Sequence, residues 1–394
     1  MRFPRTHATM LSSLLCIVLA AAGACCGAAQ TRGGAPRAAA CSAYTQGTWA
    51  PVAPMNERRD LPAMVVLSDG RVLVSGGATE AYEPLVSAEI YSPATDTWTP
   101  TGAMARPRFG HKLVLLPDKK VLAVGGGPGE AEVYDPVTGA WSDLSGASGR
   151  SGTVAASLPD GRVAVVGGRT DTVEHWGVLP QPTEQFDLFD PATRSWRRGP
   201  SLDSVREGAA GAIAPDGSIL VVGGNYYVPP LIRISFWDPA SGATKASRGM
   251  LLWRPGAKTW THVPWPRSAG GRGAGAASVG GHEVLVLAGS GDGISSRHVA
   301  VVDTRTASLR RASPMHVARH YAVPIGLGNG CVMVLGGARP GDPAEVYSSV
   351  DDVWATMPGT PIESFVAALL ADGSVLVLGD RDHARHVYRY RPVP

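Results

Sequence analysis

The stretch Val72-Leu73-Val74-Ser75-Gly76-Gly77 is a short strand-forming run closed by a glycine pair, and its value lies in its recurrence. Runs of the same shape stand at Val121 to Gly126, Val163 to Gly168, Ile219 to Gly224, Val284 to Gly289, Val332 to Gly337 and Val375 to Asp380. The fifth and seventh are degenerate, ending in Ala288-Gly289 and Gly379-Asp380. Successive copies lie 49, 42, 56, 65, 48 and 43 residues apart. A feature that returns at such intervals marks one supersecondary unit used many times, each copy leaving an apolar face that its neighbours must cover.

Working upstream, each run follows a turn dipeptide that is itself preceded by another apolar stretch, so each copy opens with a hairpin. The dipeptides are Asp69-Gly70, Asp160-Gly161, Asp216-Gly217, Gly280-Gly281, Asn329-Gly330 and Asp372-Gly373. Such pairs accept the positive φ of hairpin turns. Asp118-Lys119 departs from the pattern and predicts a turn of another type. Working downstream, a third strand with a core-facing aromatic follows, as in Ile90-Tyr91-Ser92-Pro93, Val133-Tyr134-Asp135-Pro136 and Leu188-Phe189-Asp190-Pro191. A tryptophan closes the repeat five residues after the proline position: Trp98, Trp141, Trp196, Trp260 and Trp354, with Leu309 as the apolar substitute.

Hairpin, glycine pair, aromatic strand and tryptophan strand, in that order, resemble the kelch family over almost everything from Trp49 to the C-terminus. The resemblance implies an all-β fold, a seven-bladed kelch β-propeller. The seventh copy has its hairpin and an aromatic strand at His386 to Tyr390 but no tryptophan strand. Thr48-Trp49-Ala50-Pro51 has the fourth-strand pattern, so the N-terminal strand is expected to complete the last blade and close the ring, removing exposed strand edges. Blade four offers two third strands, Phe236-Trp237-Asp238-Pro239 and Leu252-Trp253-Arg254-Pro255; the second is favoured because Pro255 alone has its tryptophan at the right distance.

Ahead of the repeat, Arg2 and Arg5 precede an uncharged apolar run from Met10 to about Ala24, the form of a secretory leader. The run falls short of the roughly 20 apolar residues of a membrane-spanning helix. Ala22-Gly23-Ala24-Cys25 resembles a bacterial lipobox, which implies lipidation at Cys25; the same residues also fit ordinary A-x-A cleavage, so both readings stand. The expected organisation is a leader over 1–24, a linker over 25–44 and the propeller over 45–394. The expected location is extracytoplasmic, lipid-anchored to a bacterial membrane or secreted or periplasmic.

Residues 1–40 hold four of the 36 basic residues and no acidic ones, leaving 32 basic against 33 acidic beyond them. That balance lacks the electrostatic footprint of a nucleic-acid binder. Only Cys41 and Cys331 lie outside the leader region, and sequence leaves both a disulfide and two free thiols open.

Counting 18 residues back from the second glycine gives Arg59, Arg108, Arg150, Arg206 and Arg319, with Arg272 and Glu363 at 17 in the other two copies. One reading makes this arginine part of the repeat's own architecture. The other makes the guanidinium groups an anion-binding funnel at the channel mouth, suited to a carboxylated sugar or an acidic protein loop. The second-to-third connections open on the same face as the blade-to-blade connections. Three of them are enlarged: Thr79 to Ser87, Arg169 to Gln185 with His175 and Trp176, and Asn225 onward with Tyr226 and Tyr227. Enlarged loops on one rim are where repeat scaffolds usually bind.

No Gly-x-Ser-x-Gly, His-Glu-x-x-His or Cys-x-x-Cys motif is present. His320-Tyr321 invites comparison with galactose oxidase, a copper enzyme on a kelch propeller. That family implies a cysteine cross-linked to tyrosine, which Cys331, at the start of a regular strand, does not suit. His111 and His320 read as rim histidines, and His383 and His386 lack a third metal partner. The reading is a monomeric, non-enzymatic binding or interaction module for a protein or carbohydrate ligand, with no cofactor and no metal. The alternative is a sugar-directed enzyme resembling the periplasmic sialic-acid mutarotase, with Glu207 or Glu363 moving a proton.

Overall fold

The computed structural model describes residues 41–393, apart from 128, 147–148, 175–176, 229–242, 247–248, 266–269, 291–294, 329, 340, 363–364 and 380–384. Among the described residues the chain forms seven four-stranded antiparallel sheets and two separate two-stranded hairpins. Blade one is typical, with strands Ala63–Val66, Val72–Ser75, Ala88–Ser92 and Thr97–Thr101 paired in chain order from the channel outward. Blade seven is built from both ends of the domain. Thr48–Val52 pairs with Val387–Arg391, placing Trp49 opposite Tyr390 with ring centroids 5.1 Å apart. The fold is therefore a seven-bladed β-propeller whose ring is closed by its N-terminal strand.

Period-two alternation explains why the blades pack as a ring. In the second strand of blade one, Val72 and Val74 face blade seven while Leu73 faces blade two. Blade two repeats the division, with Val121 turned to blade one and Leu122 and Val124 to blade three. In this way a separate buried apolar cluster fills each of the seven joints.

The glycine pair belongs to the joints as well. A Cβ on Gly76 would lie 2.3 Å from the Arg108 carbonyl of the next blade, and one on Gly125 would lie 2.0 Å from that of Arg150. A side chain at either position would push two blades apart.

In blade four the third strand is Met250–Trp253 and the fourth Thr261–Val263, so Leu252-Trp253 is the repeat and the earlier segment an insertion. The Asp118-Lys119 turn corrects the expectation of a different type. Lys119 donates its N–H to the Leu116 carbonyl, as Gly70 and Gly161 do to Leu67 and Leu158, and takes a φ of 69° to do so. Cys41 and Cys331, left open by the sequence, form a disulfide across 290 residues of chain.

Candidate ligand-binding face

Strand direction divides the propeller into two faces. The first-to-second and third-to-fourth turns lie on one, the turn face; the second-to-third and blade-to-blade connections lie on the other, the connection face. All the residues singled out by the arginine spacing begin their blades at the connection face.

Arg59, Arg108, Arg150, Arg206 and Arg319 are no more than 2% exposed. Each guanidinium is turned into its own blade, where it ties the end of the second strand to the start of the third. Arg59 donates to the carbonyls of Gly76 and Ser87, both at 2.9 Å, and to the Glu89 carboxylate at 3.1–3.2 Å. Arg108 reaches the carbonyls of Gly125 and Glu130 and the carboxylate of Glu132. Arg319 repeats the set with Gly336, Pro343 and Glu345. In blade three the shorter Asp187 replaces glutamate and the Arg150 Nε is left without a partner. In blade four Leu251 occupies that position; Arg206 donates to Gly223 and Gly249 and meets only Asp203, at 3.5 Å.

Burial pulls the pKa of Arg150 down to about 10, opposed by the Asp187 charge, and lowers Arg108, Arg206 and Arg319 for the same reason. These guanidinium groups are enclosed and engaged, which is the architectural arrangement; they do not ring the channel mouth. Arg272 lies within the strand Gly270–Gly280, and Glu363 lies outside the described residues.

The residues after the arginines have more varied surroundings. Glu207 is bound by Arg169 of blade three at 2.7 Å, an ion pair across a joint. His320 is exposed, with Nδ1 at 2.8 Å from Ser295 Oγ. Asp60 is only 6% exposed, and its Oδ1 has no hydrogen-bond partner. His111 is buried at the joint of blades one and two, its Nε2 paired with Ser75 Oγ at 2.9 Å and its Nδ1 unmatched. Burial, with Arg108 nearby, holds its pKa well below 6.5.

Two of the enlarged connections form arms. Arg169–Glu174 pairs with Gly177–Pro182 above blade three, and Asn225–Val228 with Ala243–Ala246 above blade four. Strand Gly177–Pro182 of the first arm lies against Asn225–Val228 of the second, and Ala243–Ala246 approaches the inner strand of blade five. The sequence-predicted rim residues are thereby brought to one sector: Tyr226 and Tyr227 lie on the second arm opposite Lys245 and Thr244, while His175 and Trp176 lie outside the described residues between the strands of the first. The blade-one connection is a compact turn. Tyr82 stands at its tip with a φ of 62°, half exposed, an aromatic on this face that periodicity could not single out.

A Kelch motif matches residues 63–105, which is the first blade. No curated protein matches the chain. A fungal alcohol oxidase of the AA5 family, solved in complex with copper, is 15% identical, with 88% of this chain and 76% of that one covered and a TM-score of 0.61. YjhT is 14% identical, with 78% of this chain and 99% of that one covered and a TM-score of 0.54. These likenesses are of fold. With 1040 solved chains matching, the fold selects no activity. Nor do the residues suit copper chemistry of the galactose oxidase kind, because Cys331 is bonded to Cys41 and cannot be joined to a tyrosine. Among the described residues no three His, Cys, Asp or Glu side chains converge as a metal site.

Proposed function

We propose that this kelch-repeat propeller is an extracytoplasmic binding module that takes a protein or glycan ligand on its connection face. The observation that carries the reading is the pair of arms, raised from neighbouring blades on one face and lying against each other. A blade needs no such extension to pack: the connection between the second and third strands of blade two runs only from Val124 to Ala131. Extra chain on one sector of a repeat scaffold enlarges a surface without adding to the core.

The leader expected over residues 1–24, with Cys25 as the site of a lipid, supports placement outside the cytoplasm. The Cys41–Cys331 disulfide agrees with it, since such bonds persist in oxidising compartments. The near balance of charge favours a neutral or mixed partner over a polyanion.

The test compares the full chain with a variant whose second arm, residues 225–248, is replaced by a short Gly-Ser link, on an oligosaccharide array and in capture of extracytoplasmic proteins. Binding by the full chain that the trimmed chain loses, at unchanged thermal midpoint, is the expected result. Equal binding by both would remove the arms from the function, and turnover of a bound sugar would replace the module with an enzyme.

A further inference from the structure

The beginning of the described chain is pinned to the turn face. Cys41 is bonded to Cys331, which follows the Gly330 turn and starts the second strand of blade six. Val393 donates its N–H to the Ala43 carbonyl at 3.1 Å, and the Tyr390 hydroxyl donates to the Tyr44 carbonyl. The Tyr44 hydroxyl lies 3.5 Å from where a Cβ on Gly373, in the turn of blade seven, would stand. Burial raises the Tyr44 pKa, and the charge of Asp372 from the same turn adds to it. One covalent bond and contacts to two blades thus hold residues 41–47 beneath blades six and seven.

The arms rise from the other face and from the other side of the ring, over blades three and four. Strands of four or five residues cross the wall, roughly 15 Å, and the six-residue strands of the first arm add about 20 Å beyond it. Both displacements run away from Cys41.

From this placement we infer that the chain presents its binding face away from its own point of attachment, so that its ligand arrives from the surrounding medium and is not a lipid of the membrane that holds it. This rests on the binding reading proposed above. A tether entering at Cys41 sets the turn face of blades six and seven toward the membrane, and the arms are then the farthest described part of the molecule.

The test does not depend on knowing the ligand. The full chain with an N-terminal hexahistidine tag is held on nickel-chelating phosphatidylcholine vesicles that carry an acceptor dye. A donor is coupled to azidophenylalanine placed either at position 119, in the blade-two turn, or at position 172, in the first arm. Energy transfer is expected to be about twofold or more stronger from position 119, since the two positions differ by several strand rises in distance from the membrane. Equal transfer, or stronger transfer from position 172, overturns the inference. Vesicle binding by the untagged chain that disappears when the arms are trimmed would also overturn it. Either failure leaves the array and capture result standing, so the two readings fall separately.

Discussion

Arg108 and Arg206 occupy the same position in neighbouring repeats with different surroundings, and the difference predicts their energetics. Arg108 faces Glu132, which is fully buried and also accepts the Ala105 N–H. Arg108→Leu would strand that carboxylate, and removing one partner of a buried ion pair costs about 3–5 kcal/mol. Arg206 lacks a carboxylate on its third strand, so Arg206→Leu loses two carbonyl contacts but also relieves a poorly compensated charge. Its cost is expected at about 1–2 kcal/mol. Urea unfolding of the two variants measures the difference, and equal losses would contradict it. His111 adds a pH dependence at the same scale. Its folded pKa is depressed, so it contributes stability above the unfolded value of 6.5 that is lost as pH falls below it. Wild type is expected to weaken from pH 6.5 toward 5 by up to about 1.4 kcal/mol per unit from this group. His111→Gln should flatten that slope in urea titrations at several pH values.

Within and between elements, the tryptophans do more than fill space. Trp98, Trp141, Trp260, Trp354 and Trp49 each donate Nε1–H to a carbonyl that ends the outer strand of the preceding blade, namely Ala53, Gly102, Pro200, Ser313 and Pro358. Trp196 has no such partner. Trp141→Phe therefore removes a latch as well as volume and should lower stability by about 1–2 kcal/mol more than Trp196→Phe. Paired thermal melts would show it, and indistinguishable midpoints would deny the latch. The arginines have an analogous effect at the arms. Arg150 spans Val165 and Gln185 beneath the first, and Arg206 spans Gly223 and Gly249 beneath the second. Insertions can lengthen on this face because the blade is stapled at their base.

Over the whole molecule, the blades, their order and the closing strand were legible because each is written in strand periodicity and repeated seven times. The arginines were legible by position and not by role. A spacing of 18 says where a side chain starts, whereas its direction depends on Glu89, Glu132 or Glu345 at the second position of the third strand. That glutamate was present in the repeat and was the signal for the staple. The arms were legible only as extra length, since their hairpins lie outside the repeat. The disulfide was not legible, because its partners belong to different strands at opposite ends of the domain and only closure of the ring brings them together. Closure thus has two supports, and they should fail differently. Replacing both Cys41 and Cys331 with serine is expected to lower stability by about 2–5 kcal/mol. The ring should remain monomeric, because Thr48–Val52 still pairs with Val387–Arg391 over five residues. Removing residues 1–52 instead leaves Val387–Arg391 as an open edge, and an unpaired edge is a template for association. Light scattering with urea unfolding separates the cases: a monomer with a shifted but single transition for the cysteine variant, and self-association with a broadened transition for the truncated chain. If the truncated chain stayed monomeric with one sharp transition, the N-terminal strand would not be what closes the ring.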